Sequence, residues 1–218
     1  MSERADPVPG AVLRPGTGLG RLEAFSDGVF AIVLTLLVLD LPHPRPADGT
    51  LAHQLGHAWP EYVAYLAAFL VVGVLWINHH ATLRLVARGT HRLQVANLVL
   101  LLTISVIPFP TRTLAEYAVS GSTADRRVAV LLYGGVTVTM SVGFQVLWRA
   151  VRARPDLLRP HVTAQLMATR HKRYRLGAPT YVAATALGLL SLPLFLALQL
   201  ALAVLYLLPT PDTESGEE

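Results

Sequence analysis

Two clusters of polar residues in this chain have types and spacings that could do chemistry. Ser26 and Asp27 lie within "RLEAFSDGVFAIVLTLLVLD" (21–40), at the foot of an apolar run, and Trp76, Asn78, His79 and His80 close a second apolar run as "LWINHH". A carboxylate and an imidazole at one depth in a membrane could pass a proton, as an acid–base pair or as a relay. The same groups could instead form a satisfied network that locks helices together and performs no chemistry, because a carboxylate accepts readily from an indole N–H, an amide or an imidazole. Metal chemistry has little support. Adjacent His79 and His80 do not face one ligand on a helix, no H-E-x-x-H accompanies them, and the chain has no cysteine. His53 and His57 have i, i+4 spacing but lack a clear third ligand and read as exposed loop histidines. No tightly bound metal and no cofactor are expected.

The elements that must position these groups are membrane spans. The chain has 218 residues, of which 53% are hydrophobic and only 15% charged, with a mean hydropathy of +0.48. A soluble domain would carry about a quarter charged residues. The net charge is +4, but the charges sit between apolar blocks, which points to membrane topology and away from nucleic acid. The blocks predict six helices: 22–41, closed by Pro42, Pro44 and Pro46; 59–79, with Pro60 at its start; 92–117, kinked or broken near Pro108 and Pro110; 127–151, with Gly134, Gly135, Ser141 and Gly143 for close packing; and a 176–208 stretch too long for one crossing, split at Ser191-Leu192-Pro193. One kinked helix is the alternative for that stretch. Residues 1–18 read as a flexible tail, 19–208 as one membrane domain and 209–218 as a disordered acidic tail.

Orientation follows from the basic residues. With the N-terminus inside, 14 of the 18 Lys and Arg fall in inside segments, and only Arg45, Arg112, Arg126 and Arg127 fall outside. That bias places the N-terminus in the cytoplasm, and six spans return the C-terminus there. The basic 149–175 segment is expected either to lie on the anionic leaflet or to be a solvated loop.

An ionised Asp27, about 8 Å into the first span, needs a partner from another helix. Glu23 is a like-charge neighbour and Arg21 lies on a different face. On a helical wheel with Asp27 at 0°, Ala31, Leu34 and Val38 fall within about 40°, whereas Ile32, Leu36 and Leu39 form a separate stripe at roughly 120–180° that Arg21 and Phe25 continue. Thr35 borders the stripe. Such a stripe is ordinarily helix packing.

Arg21-x-x-x-Phe25-Ser26-Asp27 at the head of the first span, with Trp76-x-x-His79-His80 ending the second, resembles the bacterial and lysosomal potassium channel family of the transmembrane protein 175 type. The resemblance covers about 19–208. It implies an all-α homotetramer in the bacterial inner membrane, with the first helix of each six-helix subunit lining a central pore. It further implies a constriction at Ile32, with Leu36 and Leu39 above it, Thr35 as the pore hydroxyl, and no cofactor beyond permeating potassium. The implied partners are the chain itself, membrane lipid and monovalent cations.

The chain has no T-V-G-Y-G loop, so such a pore would close by dewetting at a hydrophobic ring and prefer potassium weakly to moderately over sodium. Asp40 would rim the outer mouth, whereas Arg21 on the stripe would oppose cation entry unless paired. Two other classes compete. An intramembrane enzyme using Asp27 and His79 lacks a nucleophile, a phosphate loop and a metal set. A proton-coupled secondary transporter using the Asp/His pair lacks visible inverted halves.

Overall fold

The computed structural model describes residues 17–208, and its regular elements are helical. They are α1 (Thr17–Leu39), α2 (Leu51–His57), α3 (Trp59–Leu83), α4 (His91–Ser105), α5 (Pro108–Ser120), α6 (Thr123–Arg152), α7 (Ala164–Gly188) and α8 (Leu192–Leu207). Thr17 and Gly18, expected in the N-terminal tail, already belong to α1. The rest of that tail and the acidic 209–218 segment lie outside the described residues.

Among the described residues, four helical stretches are long and apolar enough to cross a membrane: Gly18–Leu39, Trp59–Leu83, His91–Ala118 and Thr123–Arg152. The third bends at Val106–Ile107, where Pro108 opens α5 because proline suits a helix's first turn and cannot continue the one before it. α8 is apolar but has only 16 residues, about 24 Å. The stretch from 176 onward does divide into two helices, α7 and α8, with Ser191 and Pro193 at the junction.

The 149–175 segment is only in part a loop. α6 runs to Arg152, and α7 begins at Ala164, well before the apolar run at Leu176. The Thr163 hydroxyl accepts from the Leu166 N–H, a cap that starts the helix among its charges. The 42–58 connection likewise holds α2, and the Gln54 amide staples this connection to the backbone of Arg45 and Gly49.

α1 packs on α3, α4 and α5; α6 packs on α4, α5 and α7; and α8 closes against α7 and α3. Without an oil–water difference to drive them together in lipid, these helices approach through small residues. A Cβ at Gly134 would strike the Thr185 side chain, and one at Gly177 would lie 2.5 Å from Ser141 Oγ, so both glycines set the α6–α7 spacing. Gly135 faces open space instead. Tyr174 then wedges edge-on between Phe144 and Trp148, with centroids 4.7 and 5.0 Å away.

The basic segments gather at one end. There the loops after α3 and α6 pair, with Ala87 N–H donating to Leu157 O at 2.8 Å and Arg159 N–H donating to Leu85 O at 2.9 Å. Arg170 donates to Ala81 O. Arg173 reaches the end of α8, donating to Leu208 O at 3.1 Å and sitting over the Tyr206 ring. A cation there satisfies carbonyls that the helix leaves open and complements its dipole.

Candidate functional site

The buried face of α1 is a continuous stripe: Leu19, Leu22, Ser26, Phe30, Val33 and Leu37. Its spacing of three and four residues is that of one side of an α-helix. Ser26 is the polar member, fully buried, and starts a chain of hydrogen bonds across three helices. Ser26 O–H donates to Leu22 O at 2.8 Å. Asn97 Nδ2, from α4, donates to Ser26 Oγ at 2.9 Å. His79 Nε2, from α3, is 2.7 Å from Asn97 Oδ1. Since the Asn97 amide N–H already serves Ser26, its oxygen must accept, which puts a proton on His79 Nε2. Phe30 packs against the His79 ring at 5.3 Å. Each polar group bridges two helices, so the arrangement fixes the rotation of α1 about its own axis.

Asp27 stands at the edge of this stripe, half-buried, and accepts from the Trp76 indole N–H at 2.8 Å. Of the four partners offered by "LWINHH", Trp76 alone bonds it. His79 turns to Asn97, and Asn78 donates to Val74 O in its own helix. His80 lies beside the Trp76 ring, 6.0 Å between centroids. Sequence reasoning missed Asn97. Its signal was there to find: one amide inside the apolar "VANLVLLL" run, where an unpaired amide is costly. It also centred the polar anchor on Asp27, whereas the buried centre lies about 100° away, on the Ser26 side.

The opposite face of α1 is bare within the subunit. Phe25, Ile32, Leu36 and Leu39 are 55%, 59%, 42% and 66% exposed, and Arg21 and Thr35 are exposed among them. The Thr35 hydroxyl donates to Ile32 O at 2.9 Å, which leaves its oxygen lone pairs facing outward. Arg21 makes no ion pair among the described residues, so Glu23 does not neutralise it. Asp40, just past the end of α1, is half-buried near Arg112 and Glu116 of α5, which pair with each other at 2.8 Å. At the opposite side of the bundle from Asp27, the His53 and His57 rings stack at 4.1 Å on α2.

A profile of the endosomal/lysosomal potassium channel TMEM175 family matches residues 21–108, which hold Ser26, Asp27, Trp76, His79 and Asn97. A potassium channel of Streptomyces collinus is 41% identical over 202 residues, spanning 90% of this chain and 97% of that protein. A potassium channel of Chamaesiphon minutus is 36% identical over 192 residues, spanning 87% and 93% respectively. The crystal structure of a lysosomal potassium-selective channel TMEM175 homolog from Chamaesiphon minutus superposes with a TM-score of 0.77 at 36% identity, covering 87% of this chain and 96% of its own.

Proposed function

The chain belongs to the TMEM175 family and is a multi-pass membrane potassium channel rather than an enzyme; from that premise we propose that four copies assemble with the bare face of α1 turned to a common axis. The carrying observation is that α1 buries one stripe and leaves Phe25, Ile32, Leu36 and Leu39 largely exposed. A polar anchor on the buried side holds that exposed face in a fixed direction. In this arrangement six crossings, made by α1, α3, α4–α5, α6, α7 and α8, place both termini in the cytoplasm of a bacterial inner membrane. The basic loops, together with the Arg173-capped end of α8, support that direction.

Ile32 then forms the constriction. Four aliphatic side chains in a narrow ring exclude water, and an ion that cannot keep or replace its hydration shell does not pass. Conduction requires the ring to widen. Potassium holds its water less tightly than sodium, and Thr35 oxygens one turn further on can replace part of what is lost. Without a rigid carbonyl cage the preference is weak to moderate. The inward pull on cations comes from the C-terminal ends of the four α1 helices at the outer mouth, with Asp40 at its rim. No step uses Asp27 and His79 as a proton pair, since each is bonded to a different partner.

The test is single-channel recording in bi-ionic potassium and sodium solutions. Ile32→Ala is expected to raise unitary current and lower the potassium preference. An Ile32→Ala channel that conducts and selects as wild type does would remove Ile32 from the constriction.

A further inference from the structure

At the basic end, between the last turn of α6 and the first turns of α7, lies a groove of about 600 Å³. Arg152, Lys172 and Arg175 line it, with His171, Met167 and Leu176 beside them, and no carboxylate does. The ion pairs among the described residues are Arg112–Glu116 and Arg154–Asp156, so among those residues these three cations have no carboxylate partner. Arg152 is held in place by donating to His171 Nδ1 at 2.9 Å. Three unpaired cations in one concave site repel one another, and a bound anion offsets that repulsion.

The groove also has an apolar continuation. Leu176, Pro179, Ala183 and Ala186 are exposed on the side of α7 that runs from the cations into the membrane. They follow one another at helical spacing over about 15 Å, the depth of one leaflet's hydrocarbon. Together they make an apolar strip that continues the groove. α7 packs on α6 and α8, whereas α1 packs on α3, α4 and α5. If α1 faces the central axis, α7 therefore stands on the outer rim, in contact with lipid.

We propose that this groove is a headgroup site for one anionic glycerophospholipid of the inner leaflet. Its phosphate sits among Arg152, Lys172 and Arg175, and an acyl chain lies along the Leu176–Ala186 strip. Charge selects the headgroup, and the apolar strip selects a lipid over a free anion. The proposal rests on the channel reading only for the placing of α7 on the rim.

Native mass spectrometry of the purified full chain, with phosphatidylglycerol or phosphatidylcholine added, tests it. Wild type is expected to retain phosphatidylglycerol in preference to phosphatidylcholine. Arg152→Gln/Lys172→Gln/Arg175→Gln should lower phosphatidylglycerol retention by at least about tenfold, each surface cation being worth about 1 kcal/mol toward anionic lipid. The same charge removed as Arg84→Gln/Arg88→Gln/Arg92→Gln should leave it near wild type. Lys172→Gln alone, at an exposed position, should lose about fivefold and guards against misfolding of the triple variant. Retention unchanged in both groove variants, equal retention of the two lipids, or displacement by millimolar inorganic phosphate would overturn the site. Currents in phosphatidylcholine bilayers test the pore separately. Currents without a lipid preference sink only the groove, and a lipid preference without currents sinks only the pore.

Discussion

Asn97 donates to Ser26 across 2.9 Å, although the two lie 71 positions apart in the chain. With His79 on its other side, Asn97 is the joint of α1, α3 and α4, and among the described residues neither neighbour has a second intersegment hydrogen bond to fall back on. Asn97→Leu should therefore lower the melting temperature of the detergent-purified protein markedly. The loss removes two intersegment bonds and leaves His79 Nε2 unpaired, whereas the Ser26 hydroxyl keeps its bond to Leu22 O; an unpaired buried group costs about 1–3 kcal/mol in water and less in a membrane, where measured bonds average about 0.6 kcal/mol. An unshifted transition would show that the joint carries no stability.

Asp27 and Trp76 make a separate, half-exposed bond. An amide still offers an oxygen to the indole, so Asp27→Asn should be milder than Asp27→Ala in thermal stability and in assembly, measured by size-exclusion chromatography. In assembled channels neither should change the reversal potential under bi-ionic conditions, because the carboxylate points to α3. A shifted reversal potential with an intact assembly would place Asp27 on the ion path.

Thr35→Val keeps shape and removes the outward-facing oxygen. Since Thr35 is exposed and its hydroxyl bonds only its own helix, stability should hold within about 0.5 kcal/mol. The potassium-to-sodium permeability ratio should fall. A ratio equal to wild type would show that Thr35 replaces no hydration water.

Neighbouring glycines on α6 should behave in opposite ways. Gly134→Ala drives a methyl into Thr185 and should cost about 1–3 kcal/mol, partly recovered by adding Thr185→Ala. Gly135→Ala meets nothing within 4 Å and should be neutral or stabilise by up to about 1 kcal/mol. Thermal unfolding of the three variants side by side checks the packing of α6 on α7.

His171 gives the basic end a dependence on pH. Slight desolvation and the like charges of Arg152, Arg175 and Arg149 hold its imidazole below the ordinary range. Its neutral form is the one that accepts from Arg152. With the folded value depressed, the unfolded chain takes up the proton first, so stability is unaffected well above the ordinary value of about 6.5 and declines as pH falls through it. Melting temperatures between about pH 7.5 and pH 5.5 should show a drop that His171→Gln reduces. An equal drop in both proteins would trace the effect to other groups.

How far these relationships could be read from the chain itself follows from what lipid leaves visible. The apolar blocks, Pro108 and the Ser191–Pro193 junction predict the long helices and their breaks, because length and proline chemistry act locally. The inward side of α1 was harder to find. Almost every side of a membrane helix is apolar, so hydropathy does not separate Phe30 and Val33, which are buried, from Ile32 and Leu36, which are not. Polar residues are the better guide, but a wheel gives angles without neighbours, and it could not say that Ser26 meets an amide on α4. The early start of α7 was hidden for another reason: its charges masked an ordinary threonine cap.

The shortness of α8 has a consequence for the surrounding bilayer. Its 16 residues are fastened at one end by Arg173 and limited at the other by the Ser191–Pro193 junction, so it cannot lengthen to match a hydrocarbon core of about 30 Å. In the six-crossing arrangement proposed above, lipid next to α8 has to thin, or neighbouring side chains have to stretch toward the headgroups, at a fraction of a kcal/mol for each ångström. In that arrangement the α7–α8 side is matched to short acyl chains, which makes membrane thickness a variable for the assembled channel.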